Sequence, residues 1–484
     1  MTAGAAAARP LLQAEADLKA PPASPANGIV RGSSWTDRAF SPMEAGSLRG
    51  SVFALASTAF GSGVLALPWV FASTGLLLGG ALMALGALAA LASLRLLANA
   101  SFSTGAQSYA GVVRTALGPW TVAFLDFVVL LYCVGCICGY FVFLEQFGPL
   151  LLESLGLPAW LRSPSRLVKA LLVFPVLPMS LTRHLASLRY GSLVSSVCLV
   201  LVALLIVAET PGKHREMEAE LEGLQLWSPP EGAWAMVPRA ASIFSFAFCC
   251  HVNALASYNG MENPVAYRVD KVISRAVVLM ILVYGAVGVC GFLSFGPPCS
   301  EEVPGAASPP CTPTNILASP RFQGPVSVVS RSCMAVSLLV AIPLNLHAAR
   351  AIVERLLLGS SKQGSAREPP RTSSAVHFAL TLLILLSMAA LAISYRNVNN
   401  ILGVLGGFAA VSFMFTIPVA ALLALYFGGA PGGIGDRARA PQVGSWLGIT
   451  RSGVLFVALL MLLCVVTGYW SASLAVRDML VSAL

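Results

Sequence analysis

Two stretches of this 484-residue chain carry groups able to bind a small charged molecule away from water. The first, Thr58-Ala59-Phe60-Gly61-Ser62-Gly63-Val64-Leu65, sets two glycines and a hydroxyl inside an apolar run. Where such a run leaves helical geometry, the N–H groups near Gly63, Val64 and Leu65 lose their carbonyl partners. They then open a half-helix whose positive dipole end attracts a carboxylate. Small residues at this spacing equally suit close packing of helices. The second stretch, Ser245-Phe246-Ala247-Phe248-Cys249-Cys250-His251-Val252-Asn253, interrupts another apolar run and is followed by Asn259-Gly260. Its carbonyls around Ser245 to Phe248 are suited to an ammonium. Backbone donors on one stretch and backbone acceptors on the other would hold a zwitterion without burying net charge.

Side chains add less. His251 is the one histidine set well inside an apolar run, whereas His347 lies near a run's end. It is a candidate for ion coupling, or else a neutral core histidine with satisfied hydrogen bonds. Thr58 and Ser337 are the hydroxyls placed to help coordinate a cation. Asp126 falls close enough to an interface to be hydrated, and Glu145 lies near the far end of the same run. Cys133, Cys136 and Cys138 have ligand-like spacing but no neighbouring histidine, so they read as small hydrophobes rather than a metal site. Cys299 and Cys311 fall in a Pro-rich loop and are candidates for a disulfide on an oxidising side. Neither His-Glu-x-x-His nor Gly-x-Ser-x-Gly occurs, and no pair of carboxylates lies at matching depth, which argues against an enzyme.

The elements that must position these groups follow from composition. Hydrophobic residues make up 57% of the chain and charged residues only 11%, so the bilayer is its main solvent. Helices are expected, because a barrel would show alternating segments of about ten residues. Apolar runs predict eleven transmembrane helices at about 50–71, 75–98, 119–147, 166–181, 190–209, 236–258, 273–296, 326–347, 374–394, 400–426 and 452–475. Residues 1–47 are expected to be a disordered cytosolic tail, 48–475 the transmembrane domain, and 476–484 a short non-cytosolic C-terminus. No cleavable leader is expected, since the first long apolar run starts near Ser51. Most Lys and Arg fall in the tail and in the loops after even-numbered spans, which predicts a cytosolic N-terminus. Because the basic residues are spread in short clusters, the net charge of +9 reads as a topology signal and not as a nucleic-acid surface. The two interrupted runs lie five spans apart, the pattern of a five-plus-five inverted repeat with broken helices 1 and 6 plus one extra helix.

Several motifs fall in matching order on these runs: Ser57 to Leu65 with Pro68; Pro178-Met179-Ser180-Leu181-Thr182-Arg183 with Tyr190; Cys250-His251 with Tyr258; and Gly403-Val404-Leu405-Gly406-Gly407 running to Pro418. Together, over about residues 48 to 475, the chain resembles the amino acid/auxin permease family, particularly its neutral amino-acid transporter branch. The resemblance implies the five-plus-five fold and secondary active transport of neutral amino acids by alternating access, with Gly61, Ser62 and Gly63 as the carboxylate nest. A sensor or scaffold of the same fold with little flux is the rival reading. The expected partners are an amino-acid substrate and the lipid bilayer; oligomeric state is left open. The host membrane is the plasma membrane or a lysosome or vacuole. No cofactor is expected beyond a coupling ion, H⁺ or Na⁺. Two departures bear on that ion. Val252-Asn253-Ala254-Leu255-Ala256 follows His251 where many relatives carry prolines and a Glu. Sodium-coupled members often place Asn at the position of Thr58 and a Thr in span eight, where this chain reads Ser337 to Pro343. The balance favours proton-coupled or ion-independent transport.

Overall fold

The computed structural model describes residues 47–181, 189–221, 230, 232–299, 311–319, 321–358, 373–395, 397–427 and 451–483. The expected tail and the basic linker around Lys362, Arg367 and Arg371 lie outside the described residues, apart from Ser47 at the tail's end. Among the described residues the structure is helical, with one isolated β-bridge between Pro298 and Thr312. Helix covers every apolar run read from the sequence.

Nine helical stretches among the described residues are long and apolar enough to cross a bilayer. One of them, Ser62–Thr104, has 43 residues. At about 1.5 Å per residue it is roughly twice as long as the hydrocarbon is thick, so it cannot run straight through. It turns at Gly75, where φ is 76° and ψ 166°, a torsion pair that side chains beyond hydrogen resist. The two expected runs on either side of residue 75 are separated by this turn.

In chain order, α1 is Leu48–Ala59 and α2 is Leu67–Thr104, with a 3₁₀ turn at Ser62–Ala66 between them. Ser47 caps α1 by accepting from the Gly50 amide at 3.1 Å, and Pro68 is tolerated in the first turn of α2, where its missing N–H costs nothing. Next come α3 (Tyr109–Leu117), α4 (Pro119–Ser154), α5 (Pro164–Leu171), α6 (Leu177–Ser180) and α7 (Arg189–Leu221). α7 continues beyond the expected run at 190–209 and stays helical to Leu221. A second interrupted pair follows, α8 (Ala233–Ala247) and α9 (His251–Asn259). The remaining helices are α10 (Ala266–Phe295), α11 (Pro325–Leu358), α12 (Ser374–Ser394), α13 (Val398–Val404), α14 (Ile417–Phe427) and α15 (Arg451–Ala483). The last continues through the expected short terminus. Between α13 and α14 the chain takes π-helical turns at Leu405–Ala410 and Ser412–Thr416.

α10 lies along α1, α2 and α7, while α8 lies along α2 and the Leu405–Ala410 turn. α11 packs on α4 and α7. The breaks in both interrupted pairs are buried, with Phe246, Phe248 and Tyr284 packed against them.

Candidate functional site

The first break begins where α1 ends. The Phe60 amide closes the last turn on the Ala56 carbonyl at 3.0 Å, then Phe60 (ψ 97°) and Gly61 (φ −143°, ψ −162°) run extended. Helical turns resume with the Val64 N–H donating to the Gly61 carbonyl at 3.4 Å. The amides of Ser62 and Gly63 precede that first bond and therefore have no carbonyl within their own turn. They are the free donors of the expected nest, whereas the Val64 N–H is engaged.

The glycines serve different ends from those expected. Gly61 adopts an extended backbone open to any residue, so its freedom of torsion is not what breaks the helix. Gly63 matters for space. A Cβ there would lie 2.9 Å from Phe246 Cδ1 and 3.5 Å from the Ala247 Cα, so the first break is seated directly against the end of α8.

The second break mirrors the first. α8 closes with the Phe248 amide on the Phe244 carbonyl at 2.9 Å and the Cys249 amide on the Phe246 carbonyl at 3.3 Å. Cys250 (φ −130°, ψ 5°) leaves helical geometry, and His251 opens α9. Helix α1 ends on Ala59-Phe60 and α8 on Ala247-Phe248, the same dipeptide at each carboxyl end. Tyr284 of α10 lies between them, its hydroxyl 2.9 Å from the Ala59 carbonyl and 2.8 Å from the Ala247 carbonyl. No Asp, Glu, Lys or Arg occurs from Thr58 to Pro68 or from Ile243 to Tyr258, so the polar groups these stretches offer are backbone dipoles, hydroxyls, Asn253 and His251.

His251 is fully buried, and neither ring nitrogen has a hydrogen-bond partner among the described residues. The Thr58 hydroxyl donates back to the Leu55 carbonyl at 2.7 Å. Ser337 is buried on α11, with its hydroxyl 2.6 Å from that of Ser195 on α7. Sequence reading passed over Ser195, whose serine looks like an ordinary small residue until α7 and α11 are laid together. Tyr132 and Tyr140 were passed over as well. A Cβ on Gly61 would lie 3.8 Å from the Tyr140 hydroxyl, and the Tyr132 ring packs at 5.7 Å on Phe246 and 5.2 Å on Phe413. Their signal was the spacing of two tyrosines across the cysteine-glycine stretch of α4, one on each side of Cys133, Cys136 and Cys138. Those three cysteines are buried, and no group of three or more His, Cys, Asp or Glu able to hold a metal occurs among the described residues. Asp126 pairs with Arg355 at 3.1 Å instead of facing water alone, and Glu145 is buried on α4.

On the far side of the 3₁₀ turn, Cys299 and Cys311 form a disulfide. The Ile316–Ala318 turn that follows packs on Ser62–Ala66, and a Cβ on Gly291 of α10 would meet Pro68 and Ile316 together. Buried Arg331 of α11 holds this segment by donating to the carbonyls of Leu317 (2.9 Å), Ser319 (3.2 Å) and Phe322 (2.9 Å).

Residues 44–427 match the family described as transmembrane amino acid transporter protein. The putative amino acid transporter AAT1 of Toxoplasma gondii is 32% identical over 54% of this chain, which spans 35% of that protein's length. Vacuolar amino acid transporter 6 of Saccharomyces cerevisiae is 25% identical over 64% of the chain and 66% of its own length. Human sodium-coupled neutral amino acid transporter 7 is 25% identical over 85% of the chain and 84% of its own. The structure of MhsT in complex with L-phenylalanine shares the fold, with a TM-score of 0.55 and 16% identity over 89% of this chain and all of that one.

Proposed function

Because the chain belongs to the transmembrane amino acid transporter family, whose members are transporters and not enzymes, we propose that it moves neutral amino acids across a membrane by alternating access. The single observation that carries the site is the meeting of the two helix breaks, with Gly63 seated on Phe246 and Ala247. The substrate carboxylate sits in the Gly61 to Gly63 nest and accepts from the amides of Ser62 and Gly63, at the positive start of the turn leading into α2. Its ammonium donates to carbonyls at the end of α8, within Ser245 to Phe248, where the dipole is negative. The absence of charged side chains at both breaks supports a substrate whose own charges cancel. Eleven spans in a five-plus-five inverted repeat, with the N-terminus cytosolic, complete the reading.

Coupling to protons through His251, or transport without a coupling ion, is favoured over sodium. Thr58 and Ser337 are the only side-chain oxygens assigned to a cation, thin coordination for an ion that must replace its water shell with several oxygens. A plasma membrane or a vacuolar or lysosomal membrane fits the mixture of relatives. The test is uptake of labelled amino acids by proteoliposomes holding the pure protein, under imposed gradients. Saturable uptake of neutral amino acids is expected. Protein that binds an amino acid yet moves none across a sealed vesicle would overturn the reading.

A further inference from the structure

We propose that Tyr284 is a positioning residue that ties the two helix breaks together, so that the carboxylate side and the ammonium side of the site act as one unit; this deepens the transport reading above and rests on it. The phenol is fully buried on α10 and contacts both breaks in the same way. Its hydroxyl meets the carbonyl of the last residue of α1, Ala59, and of the last residue of α8, Ala247, at 2.9 and 2.8 Å. Its ring packs edge-on against the next residue of each, with centroids 5.9 Å from Phe60 and 5.3 Å from Phe248.

The carboxyl ends of two helices bring partial negative charge to one place, and nothing cationic stands between them in the surrounding sequence. The phenol offers one proton to two carbonyls, so it holds them together while leaving lone pairs on each. Ala247 lies within the stretch assigned to the substrate ammonium, and Ala59 immediately precedes the carboxylate nest. Loss of the proton leaves two like dipole ends facing each other, and the breaks separate. A net hydrogen bond of about 0.5–1.5 kcal/mol corresponds to a change of roughly two- to tenfold in an equilibrium.

Tyr284→Phe keeps both ring contacts and removes only the hydroxyl. Proteoliposome uptake with this variant is expected to show KM for a neutral amino acid raised about two- to tenfold. The kcat should change by a smaller factor, and melting temperature without substrate should stay near wild type. Phe60→Leu, which keeps the hydroxyl, should leave KM within about twofold. A merely structural tyrosine gives the opposite pattern, lower melting temperature with KM unchanged, and that result overturns the proposal. KM rising as much in Phe60→Leu as in Tyr284→Phe overturns it too. Should Tyr284→Phe not reach the membrane, 2,3-difluorotyrosine incorporated at position 284 preserves shape and strengthens the donor; KM is then expected to fall, and an unchanged KM overturns the tie. Wild-type protein without uptake would instead discredit the transport reading.

Discussion

Gly63 and His251 mark the two chemical demands on the site, space and polarity. At Gly63 any Cβ falls 2.9 Å from the Phe246 ring with the Ala247 backbone behind it, so Gly63→Leu drives the breaks apart. Uptake should fall below a tenth of wild type while membrane insertion stays normal, as measured by flux per surface-labelled molecule. Gly61→Ala has open contact at 3.8 Å and an extended backbone, and should retain most of its uptake in the same assay. Among the described residues neither ring nitrogen of His251 has a hydrogen-bond partner, and it is the one histidine at either break. His251→Ala is expected to change the pH profile of uptake, with a small change in thermal stability. A steep loss of stability with an unchanged profile would mark a packing histidine instead.

At the level of elements, the Ile316–Ala318 turn packs on the 3₁₀ turn at Ser62–Ala66, and the described residues around it are held at two points. The Cys299–Cys311 disulfide fixes one, and Arg331 binds three carbonyls at the other. Arg331→Met removes all three donors and leaves buried carbonyls short of partners, at a cost of about 1–3 kcal/mol for an unsatisfied group. A melting temperature lowered by several degrees is expected, whereas Arg331→Lys, one compact head unable to span three acceptors, should recover only part of it. The broken helices place their own demands. Each half is short, nine residues for α9 and fifteen for α8, and such lengths are marginal alone, so packing on α1, α2 and the π-turns near Leu405 keeps them helical.

For the molecule as a whole, orientation and coupling are the testable properties. With the N-terminus cytosolic, the single sequon Asn99-Ala100-Ser101 stays unmodified, and it lies inside α2. After reduction, impermeant thiol reagents should reach Cys299 and Cys311 from the non-cytosolic face. A glycan on Asn99 in a eukaryotic host would invert the assignment. Replacing sodium with choline at fixed pH should leave uptake within about twofold, and varying pH at fixed sodium should change it. Flux that vanishes without sodium and ignores pH would assign the coupling to sodium.

Composition and the period of the apolar runs determined that this is a helical membrane protein, because a bilayer admits few ways to satisfy backbone hydrogen bonds. Glycines and polar residues within two of those runs marked where helices stop, since both effects are local to a few residues. What the sequence left undecided was whether these glycines provide torsion or room. Gly63 can be read only once Phe246, some 180 positions away, is seen against it. Ser195 and Tyr284 escaped notice for the same reason: each is an unremarkable residue in its own helix and meets its partners only across a helix-helix contact. The pairing of Ala59 with Ala247 through one phenol belongs to the tertiary structure alone, because a hydrogen bond between distant segments leaves no mark on the spacing of either.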